Sequence, residues 1–293
     1  MCEEIIKEFI ASQGLPSEYR ATIEQWYLPF IDNLNVLLPG FAKPFVLGIN
    51  GAQGTGKTTL AKFIRHVLTQ RDLVVANLSL DDFYLSKAKR QQLADSVHPL
   101  LATRGVPGTH DIAQALRVFQ SLSDINSTSL PRFDKLHDDC LPQASWPKLS
   151  GPVDVIILEG WCLGLFSQQL KQLSPALNAL EEKEDPQLIW RKYVNQQLQT
   201  PYQDLFAKID YLLVLKAPNF ESVLKWRSLQ ESKLPHTHPD QLMNKAQLQR
   251  FLQFFERLTR HGFNTLDSHA NLVFNLDENH GISSATHSNA NLH

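Results

Sequence analysis

The stretch Gly48-Ile49-Asn50-Gly51-Ala52-Gln53-Gly54-Thr55-Gly56-Lys57-Thr58-Thr59 contains, from Gly51 to Thr58, the pattern G-x-x-x-x-G-K-[ST]. No other segment limits the fold as much, because such a loop works only between a strand and the start of a helix. Glycine-rich backbone lets successive N–H groups turn inward around an anion, and the helix dipole adds a positive end. The flanks meet that requirement. Phe45-Val46-Leu47-Gly48-Ile49 reads as a buried strand, and Leu60, Phe63, Ile64, Val67 and Leu68 recur at helical spacing. Residues 51 to 59 therefore predict a nucleotide site, with Lys57 reaching the β- and γ-phosphates and the Thr58 hydroxyl on Mg²⁺.

The 293 residues, 43% of them hydrophobic, are enough for one large α/β domain with its own core. A net charge of -2 exerts no general pull on nucleic acid or anionic membrane, so any anion site must be local. Cys2, Cys140 and Cys162 have no metal-ligand spacing and make an odd count, which suits a reducing compartment. The acidic start and the lack of a long apolar run lead to the expectation of a cytoplasmic protein.

Alternation of elements continues on both sides of the loop. Ile23, Trp26, Tyr27, Phe30, Ile31 and Leu34 form one helical stripe, predicted to pack on the sheet from an N-terminal segment spanning residues 1 to 40. Residues 73 to 80, 153 to 160, 211 to 215 and 272 to 274 read as strands. Helices are predicted over 86 to 95, from Ile112 to Leu122, over 166 to 180, 187 to 200 and 219 to 233, and around Leu248 to Leu258. This predicts a single domain over residues 1 to 276, α/β, with a mostly parallel sheet and helices on both faces. The Ser-, Asn- and His-rich residues 277 to 293 lack an apolar period and are expected to fray. The proline-rich stretch from 124 to 152 is long enough for a loop to suggest function or disorder.

Several polar residues then stand where an α/β sheet puts its ligands, beyond the C-terminal ends of the strands. Glu159 ends an apolar strand and is the candidate acidic partner of Thr58 on Mg²⁺; the plainer reading is a solvated strand end. Asp81 and Asp82 end the second strand. Phosphoryl transfer to an alcohol needs a carboxylate to take the hydroxyl proton, and two adjacent residues on an extended segment point to opposite faces, so one serves; Asp81 is the choice. The competing role for either is a cap or turn, and Ser86 is a further candidate to cap the following helix. Arg104, His110, Asp111, Arg132, Asp134 and Lys135 gather in two long loops as a candidate acceptor pocket, its cations suited to a carboxylate or phosphate and its acids to substrate hydroxyls. Asp111 equally suits an N-cap, and Arg132 a pair with Asp134 or Asp139. Lys225, Arg227 and Lys233 form either a lid over the triphosphate or a solvated basic face. His236 and His238 lack companion metal ligands, and Trp161 and Trp226 suit packing.

Taken in order, Gly51 to Thr59, Ser79-Leu80-Asp81-Asp82-Phe83-Tyr84-Leu85, Arg104-Gly105-Val106-Pro107-Gly108-Thr109-His110-Asp111, Pro131-Arg132-Phe133-Asp134-Lys135, Leu158-Glu159-Gly160-Trp161, Lys225-Trp226-Arg227 and the run from Phe255 to Arg260 resemble the phosphoribulokinase, uridine kinase and pantothenate kinase group, and within it the D-glycerate 3-kinases. The resemblance runs from about residue 24 to 276. It implies that Asp81 is the base, that Tyr84 lines the acceptor pocket and that Arg227 belongs to a lid. One departure falls at Cys140, where glycerate-kinase-like sequences often carry a basic residue.

The sequence thus predicts a kinase that uses ATP and Mg²⁺ to phosphorylate a hydroxyl of a small anionic acceptor, with D-glycerate leading and 3-phosphoglycerate as product. Two alternatives stay open: a kinase for pantothenate, a nucleoside or a sugar phosphate, and an ATPase that regulates or assembles a protein partner. The absence of an Asn-Lys-x-Asp element counts against a guanine-nucleotide switch.

Overall fold

The computed structural model describes residues 2–124, 127–232 and 243–287. It opens with helices α1 (Cys2–Gln13), α2 (Tyr19–Thr22) and α3 (Leu28–Leu37), followed by strand β1 (Phe45–Gly51), helix α4 (Lys57–Thr69) and strand β2 (Val75–Ser79). Helices α5 (Lys87–Ser96) and α6 (Ile112–Ser123) come next. Short strands β3 (Ser127–Ser129), β4 (Phe133–Asp134), β5 (Asp139–Cys140) and β6 (Lys148–Ser150) then lead to β7 (Val155–Gly160). Helices α7 (Leu170–Leu173), α8 (Ala179–Glu184), α9 (Ile189–Gln199) and α10 (Pro201–Phe206) precede β8 (Tyr211–Lys216). Last come α11 (Phe220–Ser232), α12 (Lys245–Thr265), β9 (Leu272–Leu276) and β10 (Ile282–His287).

Six strands form one sheet in the order β10-β9-β8-β1-β7-β2, parallel except for β10. The α/β class and mostly parallel sheet are those read from the sequence. Apolar residues run almost continuously along β1, β7 and β8 because both faces are covered. Side chains alternate between two cores: Val46, Ile156, Leu158, Leu212 and Val214 pack on one face. Phe45, Leu47, Ile49, Val155, Ile157 and Leu213 pack on the other, against Leu60, Phe63, Ile64 and Val67 of α4 and the N-terminal Phe30, Ile31 and Leu34. Each such side chain contributes about 1.5–3 kcal/mol on full burial.

The same alternation positions the site. Glu159 lies two residues beyond Ile157 on the strand, so it shares the face covered by α4 and meets that helix at its first turn. In the parallel register Glu159 stands beside Ile49 of β1 and Ser79 of β2, which brings the ends of all three strands to one edge. The loop after β1 and the turn after β2 therefore open on the same crevice.

Three expectations need correction. The second strand ends at Ser79, and Leu80–Phe83 is a 3₁₀ turn, because Ser79 Oγ accepts from Asp81 N at 3.3 Å while Asp82 Oδ2 accepts from Ser79 N at 3.2 Å. The helix predicted over 166 to 180 is only two short pieces, α7 and α8, with Ser174 and Pro175 between them. Residues 282 to 287 of the predicted frayed tail form edge strand β10. Its order comes from backbone pairing to β9 and from the Asp277 carboxylate, which accepts from the N–H of Asn279 and Gly281, and neither leaves an apolar period to read. Residues 288 to 293 lie outside the described residues, as do Lys233, His236 and His238. Among the described residues no helix is long and apolar enough to cross a membrane.

Candidate active site

The loop from Gly51 to Gly56 leaves β1 and delivers Lys57, Thr58 and Thr59 to the first turn of α4. Gly54 and Gly56 have φ of +82° and +90°, the left-handed region that side chains disfavour. At Gly54 a Cβ would also stand 2.9 Å from Trp226 Cβ, so this glycine is where α11 closes on the loop. Thr55 Oγ1 ties the turn by donating to the Ala52 carbonyl at 2.9 Å, while the buried Gln53 Oε1 has no hydrogen-bond partner among the described residues. Thr58 Oγ1 donates to Glu159 Oε1 at 2.9 Å, and Lys57 Nζ lies 3.9 Å from Glu159 Oε2. That second oxygen makes no hydrogen bond among the described residues, although Glu159 is only 6% exposed. A buried carboxylate oxygen left over beside a hydroxyl and an ammonium fits a site for a hard divalent cation, which takes oxygen ligands and keeps much of its shell for phosphate and water.

Across the crevice, the 3₁₀ turn gives the two acids different partners. Asp82 caps the turn through Ser79 and pairs with Arg132 Nη1 at 3.1 Å; burial raises its carboxyl above the ordinary value despite these contacts. Asp81 instead accepts from Lys135 Nζ at 2.6 Å. Burial acts to raise the Asp81 carboxyl too, but Lys135, with Lys57 and His110 behind it, holds it down at about 2. Tyr84 sits under this group, its hydroxyl pushed well up by burial and by the Asp81 charge.

His110 is buried and stacks on Tyr84, with ring centroids 4.4 Å apart and planes at 24°. Tyr202 Oη accepts from Gly108 N at 3.0 Å and shares a hydrogen bond with His110 Nδ1, which ties the ring to the loop ahead of α6. Burial keeps the ring neutral by lowering it to about 3, and Nε2 has no hydrogen-bond partner among the described residues.

The stretch read as one long loop contains the hairpin β4–β5, which carries Asp134 and Lys135. Asp138 fastens it, paired with the fully buried Arg90 at 2.8 Å and with Arg104, whose Nη2 also donates to the Lys135 carbonyl at 3.2 Å. Both guanidiniums lie over the Phe133 ring, at 5.7 and 5.4 Å from its centroid.

Asp81, Tyr84, Arg104, His110, Lys135 and Lys57 thus draw together, while other candidates do structural work. Asp111 N-caps α6 by accepting from Gln114 N at 2.8 Å. Asp134 folds its own turn by accepting from Leu136 N and His137 N, and Arg132 pairs with neither Asp134 nor Asp139 but with Asp82. Ser86 caps α5. Trp161 and Trp226 are buried, as packing residues should be, and Trp226 holds the neighbouring Arg227 at the rim of the phosphate loop. Three participants had no readable signal: Asp138, Tyr202 and His280. His280 stacks on Trp226 at 4.1 Å and contacts the Gly54 carbonyl through Nε2 at 3.0 Å, so the last hairpin leans on the loop that began the site. Among the described residues no group of three or more His, Cys, Asp or Glu forms a metal cluster.

A phosphate loop at the switch point of a parallel sheet, facing a second set of charged loops, defines a phosphotransferase of the P-loop class. The chain belongs to the phosphoribulokinase/uridine kinase family, whose model matches residues 46–193. It is similar to an uncharacterized kinase, mug58, of Schizosaccharomyces pombe, with 36% identity over 66% of this chain and 72% of that one. It is also similar to a chloroplastic D-glycerate 3-kinase of Arabidopsis thaliana, with 30% identity over 63% of this chain and 40% of that protein's length. A D-glycerate 3-kinase structure from Cryptococcus neoformans shares the fold, with a TM-score of 0.72 over 91% of this chain and 99% of that one at 24% identity. The protein is therefore a nucleotide-using kinase with an alcohol group as acceptor.

Proposed function

We propose that the protein transfers the γ-phosphate of ATP to a hydroxyl of a small anionic acceptor, most simply D-glycerate to give 3-phosphoglycerate. The observation that carries this reading is Asp81, whose carboxylate feels Lys57 of the donor loop and is bonded to Lys135 of the hairpin opposite. One acid is thus shared by both halves of the site. Arg104 and Lys135 supply positive charge suited to a carboxylate, and the Nε2 of His110, unpartnered among the described residues, offers one further polar contact. The similarity to the Arabidopsis D-glycerate 3-kinase supports the same substrate.

Lys57 and the backbone N–H groups from Gly51 to Thr59 would hold the phosphates. Thr58 and Glu159 would hold Mg²⁺, which when bound neutralises charge on the β- and γ-phosphates. Asp81 orients the acceptor hydroxyl and accepts its proton, and Arg227 on α11 neutralises charge at the leaving oxygens. Nucleic acid and membrane have no role in this reading.

ADP release measured across D-glycerate, L-glycerate, pantothenate, uridine, ribulose 5-phosphate and glycerol tests the acceptor, and a preference for an uncharged acceptor would contradict it. Asp81→Asn tests the base: the expected result is a loss of about 10²–10⁴ in kcat with nucleotide binding intact. Near-normal transfer would remove Asp81 from that role.

A further inference from the structure

Resting on the reading of Asp81 as the base, we infer that Lys135 is an acceptor-operated latch: without an anionic acceptor its ammonium occupies the Asp81 carboxylate, and the acceptor's own anion draws it away.

The contact itself is the first reason. At 2.6 Å from Oδ2, Lys135 Nζ engages the carboxylate directly and lowers its basicity toward a hydroxyl proton. Lys135 is also the one residue, among those described, that forms an ion pair with Asp81. The other charged or titratable groups near Asp81 are Lys57 on α4, His110 ahead of α6, Asp82 and Tyr84 on or beside its own turn, and Cys162 after β7. Lys57 already faces Glu159, and the lowered Asp81 carboxyl agrees with a base that is engaged rather than ready.

The way the hairpin is mounted is the second reason. Its backbone is fixed, because Asp138 is held by Arg90 and Arg104 and the Lys135 carbonyl accepts from Arg104. The Lys135 side chain is not, being 62% exposed, so it can leave Asp81 without unpacking anything. Asp81 stays fixed in its turn at 26% exposure, so the exchange is one in which the mobile partner, Lys135, trades this carboxylate for the acceptor's anion. A carboxylate or phosphate one or two carbons from the reacting hydroxyl offers that exchange within reach of the same hairpin, whereas water and neutral alcohols do not. Once freed, Asp81 accepts the hydroxyl proton as the acceptor oxygen bonds to the γ-phosphorus. The bond from that phosphorus to the β–γ bridging oxygen breaks, and its electron pair leaves with ADP. Until then the engaged base protects ATP from hydrolysis.

The test is ADP release by the full chain with Mg-ATP alone, with D-glycerate, and with glycerol, for wild type, Lys135→Met, Lys135→Arg and Asp81→Asn/Lys135→Met. The latch predicts that Lys135→Met raises acceptor-free release by at least about tenfold, a part of the ~10²–10⁴ that a general base supplies. The glycerate-over-glycerol preference should collapse with it, Lys135→Arg should restore the low acceptor-free rate, and the double variant should show no rise. Unchanged acceptor-free release in Lys135→Met, with loss of glycerate turnover alone, overturns the latch and leaves Lys135 as a simple anion contact. A wild type that phosphorylates no acceptor, combined with faster acceptor-free release in Lys135→Met, keeps the latch and overturns the substrate reading instead.

Discussion

The loop between β1 and α4 holds its shape through backbone conformation, with two left-handed glycines and the Ala52 carbonyl accepting from Thr55, whereas the pocket facing it is held by side-chain pairs. The phosphate loop itself is one run, Gly51 to Thr59. The proposed acceptor half joins a turn after β2, the segment ahead of α6 and a hairpin more than fifty residues beyond Asp81, fastened by Asp138 and bridged by Lys135. Backbone-built sites suit a ligand part that does not vary, the triphosphate. Side-chain-built ones suit a part that must be selected, because exchanging a charged group changes what is held without refolding the loop.

That contrast can be broken by substitution, beginning with the largest expected effect. Lys57→Met should lower kcat by about 10³, read by steady-state ADP release, because the charge it stabilises develops in transfer. Gly54→Ala should weaken nucleotide binding about a hundredfold by calorimetric titration, since φ of +82° and the approach of Trp226 both oppose a side chain; retained affinity would show that the loop tolerates backbone change after all. Asp138→Asn loosens the hairpin and should raise the acceptor KM about tenfold while leaving the ATP KM unchanged. Equal rises in both constants would mean the two halves are not separately built. His280→Ala should raise the ATP KM only a few-fold, because it removes one contact to the Gly54 carbonyl from an otherwise intact loop.

The same contrast explains what could be read in advance. The sheet, its parallel order and the donor loop follow from local patterns: a glycine spacing, apolar runs and a helical stripe. Glu159 was legible because a carboxylate ending an apolar strand has few other reasons to be there, and strand alternation does point it at α4. Extended-chain alternation does not account for the separation of Asp81 from Asp82. The two acids diverge because Ser79 and Asp82 close a 3₁₀ turn, not because the chain is extended. In the acceptor loops residue types were readable but partners were not, so Asp111 and Asp134 turned out to cap and fold backbone, while Asp138 and Tyr202 carry the geometry. Pairing across 34 to 94 residues, as at Asp138 and Tyr202, leaves no local period. Strand β10 lacks an apolar period for a different reason, since its order comes from backbone hydrogen bonds to the neighbouring β9.

The most direct test is to identify the product by phosphorus NMR after wild-type protein is mixed with Mg-ATP and D-glycerate. The account predicts ADP and a phosphomonoester of glycerate in equal amounts, with little inorganic phosphate. ADP accompanied by inorganic phosphate alone, at a rate indifferent to glycerate, would contradict it.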